Sequence, residues 1–235
     1  MNKLLFITQK VDKNDDVLGV YHRWIECLAE KIGKLNVVCL YEGRNNLPDS
    51  IGVYSLGKEI KVSKLKYIFN FYSYIWKLRK KYDSVLVHMN PVYVIFGGLF
   101  WKLSGKKVFL WYNHPMGNFT AKMGIALADK VFCTSPQSFS AKYKKTQLMP
   151  AGIDTEMFRK IPRISKKENR ILCLGRISPI KKIEYLIEAV KILDKNGFGF
   201  ELLIVGSPIS NSDKLYYENL IRLSDDLISK GKIIF

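Results

Sequence analysis

The 235-residue chain is predicted to adopt an α/β fold: a parallel sheet covered by helices on both faces, then a smaller second unit built the same way. Three observations predict it. Short apolar runs of strand length alternate with stripes at helical spacing along the whole sequence. Residues 159–170 (RKIPRISKKENR) break the pattern with six basic residues and a proline, and the alternation restarts after them. A strand-like run at the last residue leaves no helix behind it to cover a sheet. The expected organisation is a first domain over 1–158, a linker over 159–170 and a partial second domain over 171–235.

The elements follow in order. Residues 4–7 form an apolar run bounded by polar residues, suited to a strand buried on both faces. Tyr21, Trp24, Ile25, Leu28, Ala29 and Ile32 recur at helical spacing, and Gly33 supplies a stop. Residues 36–41 read as a strand and 53–56 as a short third one. Residues 62–82 are helical and unusually aromatic. A strand at 85–87, a helix at 92–103 and a strand at 107–111 come next. Helix 121–128, strand 130–133, helix 136–143 and strand 147–149 complete the first domain. In the second, 171–174 is a strand, and Ile183, Leu186, Ile187, Val190 and Leu193 form a helical stripe. Strand 201–205, helix 214–228 and strand 232–235 end the chain.

Composition narrows the function classes. A net charge of +17 draws the protein towards polyanions: an anionic membrane face, nucleic acid or phosphorylated small molecules. The four cysteines, Cys27, Cys39, Cys133 and Cys173, are scattered through apolar stretches without a metal-ligand spacing. They read as small hydrophobes in a reducing cytoplasm. The start turns polar at Gln9 and Lys10, unlike a secretory signal. The longest uncharged run, 85–101, is interrupted by His88, Asn90 and Pro91 and reads as strand, turn and helix rather than a membrane span.

The chemistry concentrates after the strand at 171–174. Gly175 lets the backbone turn tightly and lets a ligand approach. Ser178 and Pro179 suit the turn into a helix, whose N-terminus favours a phosphate. Arg176 offers forked donors and Lys181 a point charge, which together describe a diphosphate cradle. A surface turn carrying two solvated cations is the plainer reading of the same residues.

Gly175-Arg176-Ile-Ser-Pro-Ile-Lys181 and the helix start after it resemble the signature of glycosyltransferase family 4, enzymes of the GT-B fold. Pro150-Ala-Gly152-Ile153-Asp154 through Phe158 resembles that family's interdomain segment, and Leu203-Ile-Val-Gly206 its next strand and glycine. The resemblance implies a complete Rossmann-like acceptor domain and the first part of a second, nucleotide-sugar-binding one. It implies sugar transfer with retention of configuration, to a glycan or lipid-linked acceptor, without a metal ion or other cofactor. Arg176 and Lys181 match the donor-phosphate residues that stabilise the departing diphosphate. Gly19 matches a glycine-rich turn near the sugars, and His114 a cleft histidine at a strand's end, here the catalytic candidate. Read from the sequence alone, His114 fits equally as a satisfied loop histidine, His88 at the end of its strand fits a structural role better than a functional one, and His22 reads as a structural helix residue.

The sequence departs from the family at three places. Lys182 stands where glycine is usual, and Gly206-Ser207-Pro208 replaces a G-x-G-x-P. The paired-glutamate motif that contacts sugar and ribose would lie beyond Phe235, so this polypeptide is expected to have little transferase activity by itself. The rival function is a non-catalytic binding module derived from such an enzyme. A dinucleotide oxidoreductase is disfavoured, because the first strand is followed by Gln9-Lys-Val-Asp-Lys rather than G-x-G-x-x-G.

Between Lys61 and Lys81 there are seven basic residues and no acidic one. The plain reading is a core helix with a solvated basic face. The second is peripheral docking on an anionic bilayer, at the inner face of the cell membrane. Nucleic acid is not expected, since no recognised binding module accompanies the charge.

Overall fold

The computed structural model describes residues 3–162 and 166–235, so 163–165 of the expected linker lie outside the described residues. Two compact units emerge, Met1–Thr155 and Glu156–Phe235. The first contains β1 (Lys3–Val11), α1 (Val20–Lys31), β2 (Lys34–Glu42), β3 (Gly52–Ser55), α2 (Lys64–Lys77), β4 (Ser84–His88) and α3 (Val92–Leu103). It continues with β5 (Lys107–Trp111), α4 (Phe119–Leu127), β6 (Lys130–Cys133) and β7 (Thr146–Leu148). The seven strands are ordered β3-β2-β1-β4-β5-β6-β7 and pair in parallel, with Leu4 opposite Leu35 on one side and Ser84 on the other. The chain leaves β1 towards β2 and returns to β4. The carboxyl ends of β1 and β4 therefore form the switch point at which open α/β sheets bind ligands.

The apolar runs explain this layering. Leu4 to Ile7 are all buried, as a strand covered on both faces requires. Leu5, Ile7, Val85, Val87 and Leu110 face a core that receives Phe71 and Ile75 from α2, Val94 and Trp101 from α3, and Ile125 from α4. Leu4, Phe6, Leu35 and Val37 face the opposite side, under Ile25 of α1. Trp101 is fully buried yet satisfied, its Nε1 donating to Tyr82 Oη at 3.1 Å.

The second unit has β8 (Arg170–Leu174), α5 (Ile183–Lys195), β9 (Glu201–Val205), α6 (Asn211–Leu223), α7 (Asp225–Ser229) and β10 (Ile233–Ile234). Its parallel sheet is ordered β10-β9-β8. The core joins Ile187 and Val190 of α5, Leu220 of α6 and Leu227 of α7 to Leu202, Ile204 and Ile233. On the other face Leu172, Leu174, Val205 and Ile234 are exposed, Leu174 by 72%. Cover on both faces holds for β1 and β2 of the first sheet and not for the second sheet.

Several elements differ from the sequence expectation. The helix expected at 136–143 is a single 3-10 turn, Phe139–Lys142. Ser138 and Ser140 hydroxyls both donate to the Tyr112 carbonyl, at 3.1 and 2.9 Å, and tie the segment to the loop after β5. The helix expected at 214–228 breaks at Ser224, whose Oγ donates to the Leu220 carbonyl at 2.7 Å. The aromatic helix is shorter than 62–82, starting after Ser63, which accepts from the Lys66 N–H at 3.3 Å. Gly33 is not the stop of α1: the chain already turns extended at Ile32. Cys27 is exposed, because it faces away from buried Ile25, so it is not one of the buried small hydrophobes.

Candidate functional site

The turn after β8 is built by two glycines that approach each other. Gly175 has φ +148 and Gly206, directly after β9, has φ +153, a region that favours glycine. A Cβ at Gly206 would lie 1.9 Å from the Gly175 carbonyl oxygen, which only glycine avoids. The Gly175 N–H donates to Val205 at 2.9 Å and the Ile177 N–H to Ser207 at 3.2 Å, stitching the two loops together. A Cβ at Gly175 would meet nothing within 4 Å, so the space beside that turn is open. Arg176 and Lys181 project from it as exposed side chains.

Ser178 and Pro179 do not lead straight into the helix. A 3-10 turn, Pro179–Lys181, intervenes, followed by Lys182 in the left-handed region at φ 54, ψ 40. That conformation explains why glycine is usual there, and a lysine in it costs about 1 kcal/mol. Lys182 carries no oxygen with which to cap α5. The Ile183 N–H donates instead to Tyr216 Oη at 2.8 Å, and the same hydroxyl donates to Glu184. That hydrogen bond holds the Glu184 carboxyl below the usual range. One N–H counted on for phosphate is thus already used.

Sequence reasoning gave Ser178 only a turn role. It is 2% exposed, and its Oγ has no hydrogen-bond partner among the described residues. Asp213 forms a capping box with Ser210 at the start of α6. Its carboxyl is lowered first by the Ser210 N–H, with a smaller contribution from the Arg176 guanidinium.

The first unit holds Gly19 and His114. Gly19 caps α1 in an ordinary right-handed conformation, so it is needed for space rather than for φ. A Cβ there would lie 2.5 Å from the Asp15 carbonyl. Asp15 fixes this loop, accepting from the Val17 and Leu18 N–H groups at 2.9 and 2.6 Å and from Lys10 at 2.6 Å. His114 is exposed, with Nδ1 3.1 Å from the Met116 nitrogen and 2.8 Å from its carbonyl. Its ring lies against Tyr112 at 6.4 Å, outside the cluster around His88.

His88 ends β4 at the switch point and is 2% exposed. Thr8 Oγ1 of β1 lies 3.2 Å from its Nδ1, while Nε2 has no partner among the described residues. Burial pushes its pKa down to about 4, keeping the ring neutral. Tyr21 packs on it at 4.0 Å, and Trp24 meets Trp111 edge-on at 5.1 Å. The available signal was aromatic: Tyr21 and Trp24 three apart on the helix after β1, and Trp111 closing a strand. Met89, next to His88, is left-handed at φ 62. His22 is structural as expected, its Nε2 accepting from the Asn46 N–H at 3.2 Å. Asp154, in the interdomain-like segment, accepts from Arg23 Nε at 3.2 Å. Among the described residues no group of three or more His, Cys, Asp or Glu is placed to hold a metal ion, and no helix is long and apolar enough to cross a membrane.

No curated protein sequence matches the chain significantly. Solved structures do match its fold. A glycosyltransferase from Rickettsia africae ESF-5 is similar over 100% of this chain and 68% of its own, at 15% identity and TM-score 0.69. The catalytic domain of starch synthase IV from Arabidopsis thaliana, solved with ADP and acarbose, is similar over 99% and 73%, at 10% identity and TM-score 0.65. The UDP-GlcNAc 2-epimerase of Methanocaldococcus jannaschii is similar over 98% and 72%, at 14% identity and TM-score 0.56. The fold is GT-B, shared by transferases and epimerases. Residues 154–235 match the family Glycosyl transferases group 1. The match covers only the second unit, so the chain is similar to the group 1 glycosyl transferases there and shares the GT-B fold over its whole length.

Proposed function

We propose that the protein transfers a sugar from a nucleotide-diphosphate donor to a glycan or lipid-linked acceptor, in the cytoplasm and with retention of configuration. The observation that carries this reading is the stitched loop pair at the carboxyl end of β8, with open space beside Gly175 and with Arg176 and Lys181 exposed. As the bond from the anomeric carbon to the diphosphate breaks, the leaving oxygen keeps the electron pair. Arg176 and Lys181 stabilise the charge that develops there. The acceptor hydroxyl forms the new bond on the same face of the sugar and passes its proton to the departing diphosphate oxygen. His114 and the tight turn at Gly19 serve the acceptor side. The work of a metal ion falls to the two cations, so such transfer as this polypeptide or a longer parent supports is expected to survive EDTA.

A thermal-shift panel with UDP, GDP and ADP tests the cradle. The chain is expected to be stabilised by at least one nucleotide, and Arg176→Ala to lose about 2 kcal/mol of that binding. Lys181→Ala is expected to lose a similar amount. An unchanged response in both variants would remove the reading. Ser178→Ala tests the buried hydroxyl. It leaves no partner unpaired, so stability should hold while the nucleotide response weakens. The epimerase likeness motivates a second reading, a nucleotide-sugar epimerase. Product analysis separates them: inversion within the nucleotide sugar without an acceptor favours the epimerase, and nucleotide binding without turnover favours a binding module.

A further inference from the structure

The helix α2 carries two apolar stripes where a surface helix needs one. Phe71, Ile75 and Leu78 are buried against the sheet. Leu65, Phe69, Tyr72 and Trp76 recur at i, i+4, i+7 and i+11 and face outward, Leu65 78% and Trp76 57% exposed. The neighbouring α3 repeats the pattern with Phe96, Leu99 and Leu103 at i, i+3 and i+7, Leu99 66% exposed. The two stripes adjoin: Tyr72 Oη donates to the Phe96 carbonyl at 3.0 Å, and Trp76 lies 5.9 Å from Phe100. An exposed apolar surface of this breadth marks an interaction site.

Its charge selects the partner. Residues 60–128, which contain α2, α3 and α4, hold eleven Lys or Arg and one acid, Asp83, so ten of the seventeen net positive charges fall here. Cations sit directly on the aromatic residues: Lys66 lies 4.8 Å from the Phe69 ring and Arg79 4.3 Å from the Trp76 ring. A protein interface core is depleted in lysine, and a nucleic-acid groove does not call for exposed leucines. Large apolar and aromatic side chains flanked by lysines are what an anionic bilayer interface takes.

We propose that the outer face of α2 and α3 together is a docking surface for an anionic lipid bilayer. The aromatic and leucine stripes enter the headgroup boundary, and Lys64, Lys66, Lys77, Arg79 and Lys80 meet the lipid phosphates. The footprint includes α3, which carries a single cation, Lys102, and is not marked by the basic run. This surface is independent of the nucleotide cradle, so it stands or falls separately from the transferase reading.

The test is co-sedimentation of the full chain with vesicles of phosphatidylcholine alone and with 30% phosphatidylglycerol. Binding is expected only with the anionic lipid and is expected to fall in high salt. Lys64→Gln with Lys66→Gln should weaken it roughly twenty-five-fold, at about fivefold per basic residue. Leu99→Glu with Leu103→Glu, on α3 only, should weaken it at least tenfold. Both α3 positions are solvent-exposed, so unchanged circular dichroism and melting temperature are expected and confirm that folding is intact. Equal binding to both vesicle types overturns the proposal. So does binding that the α3 pair leaves unchanged, or no vesicle binding by a folded chain.

Discussion

The two sheets are made from similar sequence and are treated differently by the fold. In β1, Leu4 to Ile7 are buried on both sides, with α1 over one face and α2 to α4 over the other. In β8 the run is just as apolar, yet Leu172 and Leu174 face outward and only Ile171 and Cys173 join the core. The difference teaches that a continuous apolar run specifies a parallel strand without specifying what covers it. Cover comes from crossover helices, and in the second unit α5, α6 and α7 all lie on one side.

The comparison can be broken experimentally, because all four tryptophans (Trp24, Trp76, Trp101 and Trp111) lie in the first unit. Their fluorescence reports that unit alone. The largest effect is expected from Trp101→Ala in the doubly covered core, about 3–5 kcal/mol of unfolding free energy. A loss below 1 kcal/mol in a denaturant titration would mean that this core is no tighter than the second.

Acid should also act on the first unit. Buried His88 stays neutral when folded, with a pKa of about 4, and rises to 6.5 when unfolded. Its contribution is therefore fully present above 6.5 and is lost as pH falls towards about 4, a total of about 3 kcal/mol. In His88→Asn that part of the slope should vanish. If tryptophan-detected stability keeps the same pH slope in the variant, another group is responsible.

A smaller effect belongs to the second unit. Lys182→Gly removes the left-handed strain and should raise that unit's melting free energy by about 0.5–1 kcal/mol, read by calorimetry. A destabilised variant would mean that the Lys182 side chain, 3.8 Å from Glu184, contributes more than the strain costs. Smallest of all, Leu174→Thr on the bare face should change stability by no more than about 0.5 kcal/mol while reducing self-association in sedimentation. A loss near 2 kcal/mol would show that something covers that face in solution.

Much of the fold was legible because buried parallel strands are conspicuous: 107–111, 130–133 and 201–205 were bounded as the structure has them, as was the helix 92–103. Helices differ from the expectation where serine hydroxyls bond a carbonyl, at Ser138, Ser140 and Ser224, since the carbonyl each one reaches is invisible to periodicity. The outward stripe of α2 was also hidden. A helix apolar on both sides reads as core, and only the exposure of Leu65 and Trp76 separates the two stripes. For the candidate site, Gly175, Arg176 and Lys181 stand out in the sequence by their position between strand and helix. Ser178 and the ring cluster around His88 do not, because an unpartnered atom is a property of its neighbours.

The crossing of Gly206 over the Gly175 carbonyl has a practical meaning for mutagenesis. Two positions thirty-one residues apart form one unit of variation. A library that randomises 206 alone will mostly report backbone displacement at 175 and little about ligand preference. Specificity should instead be explored at 176, 178 and 207, with both glycines held fixed.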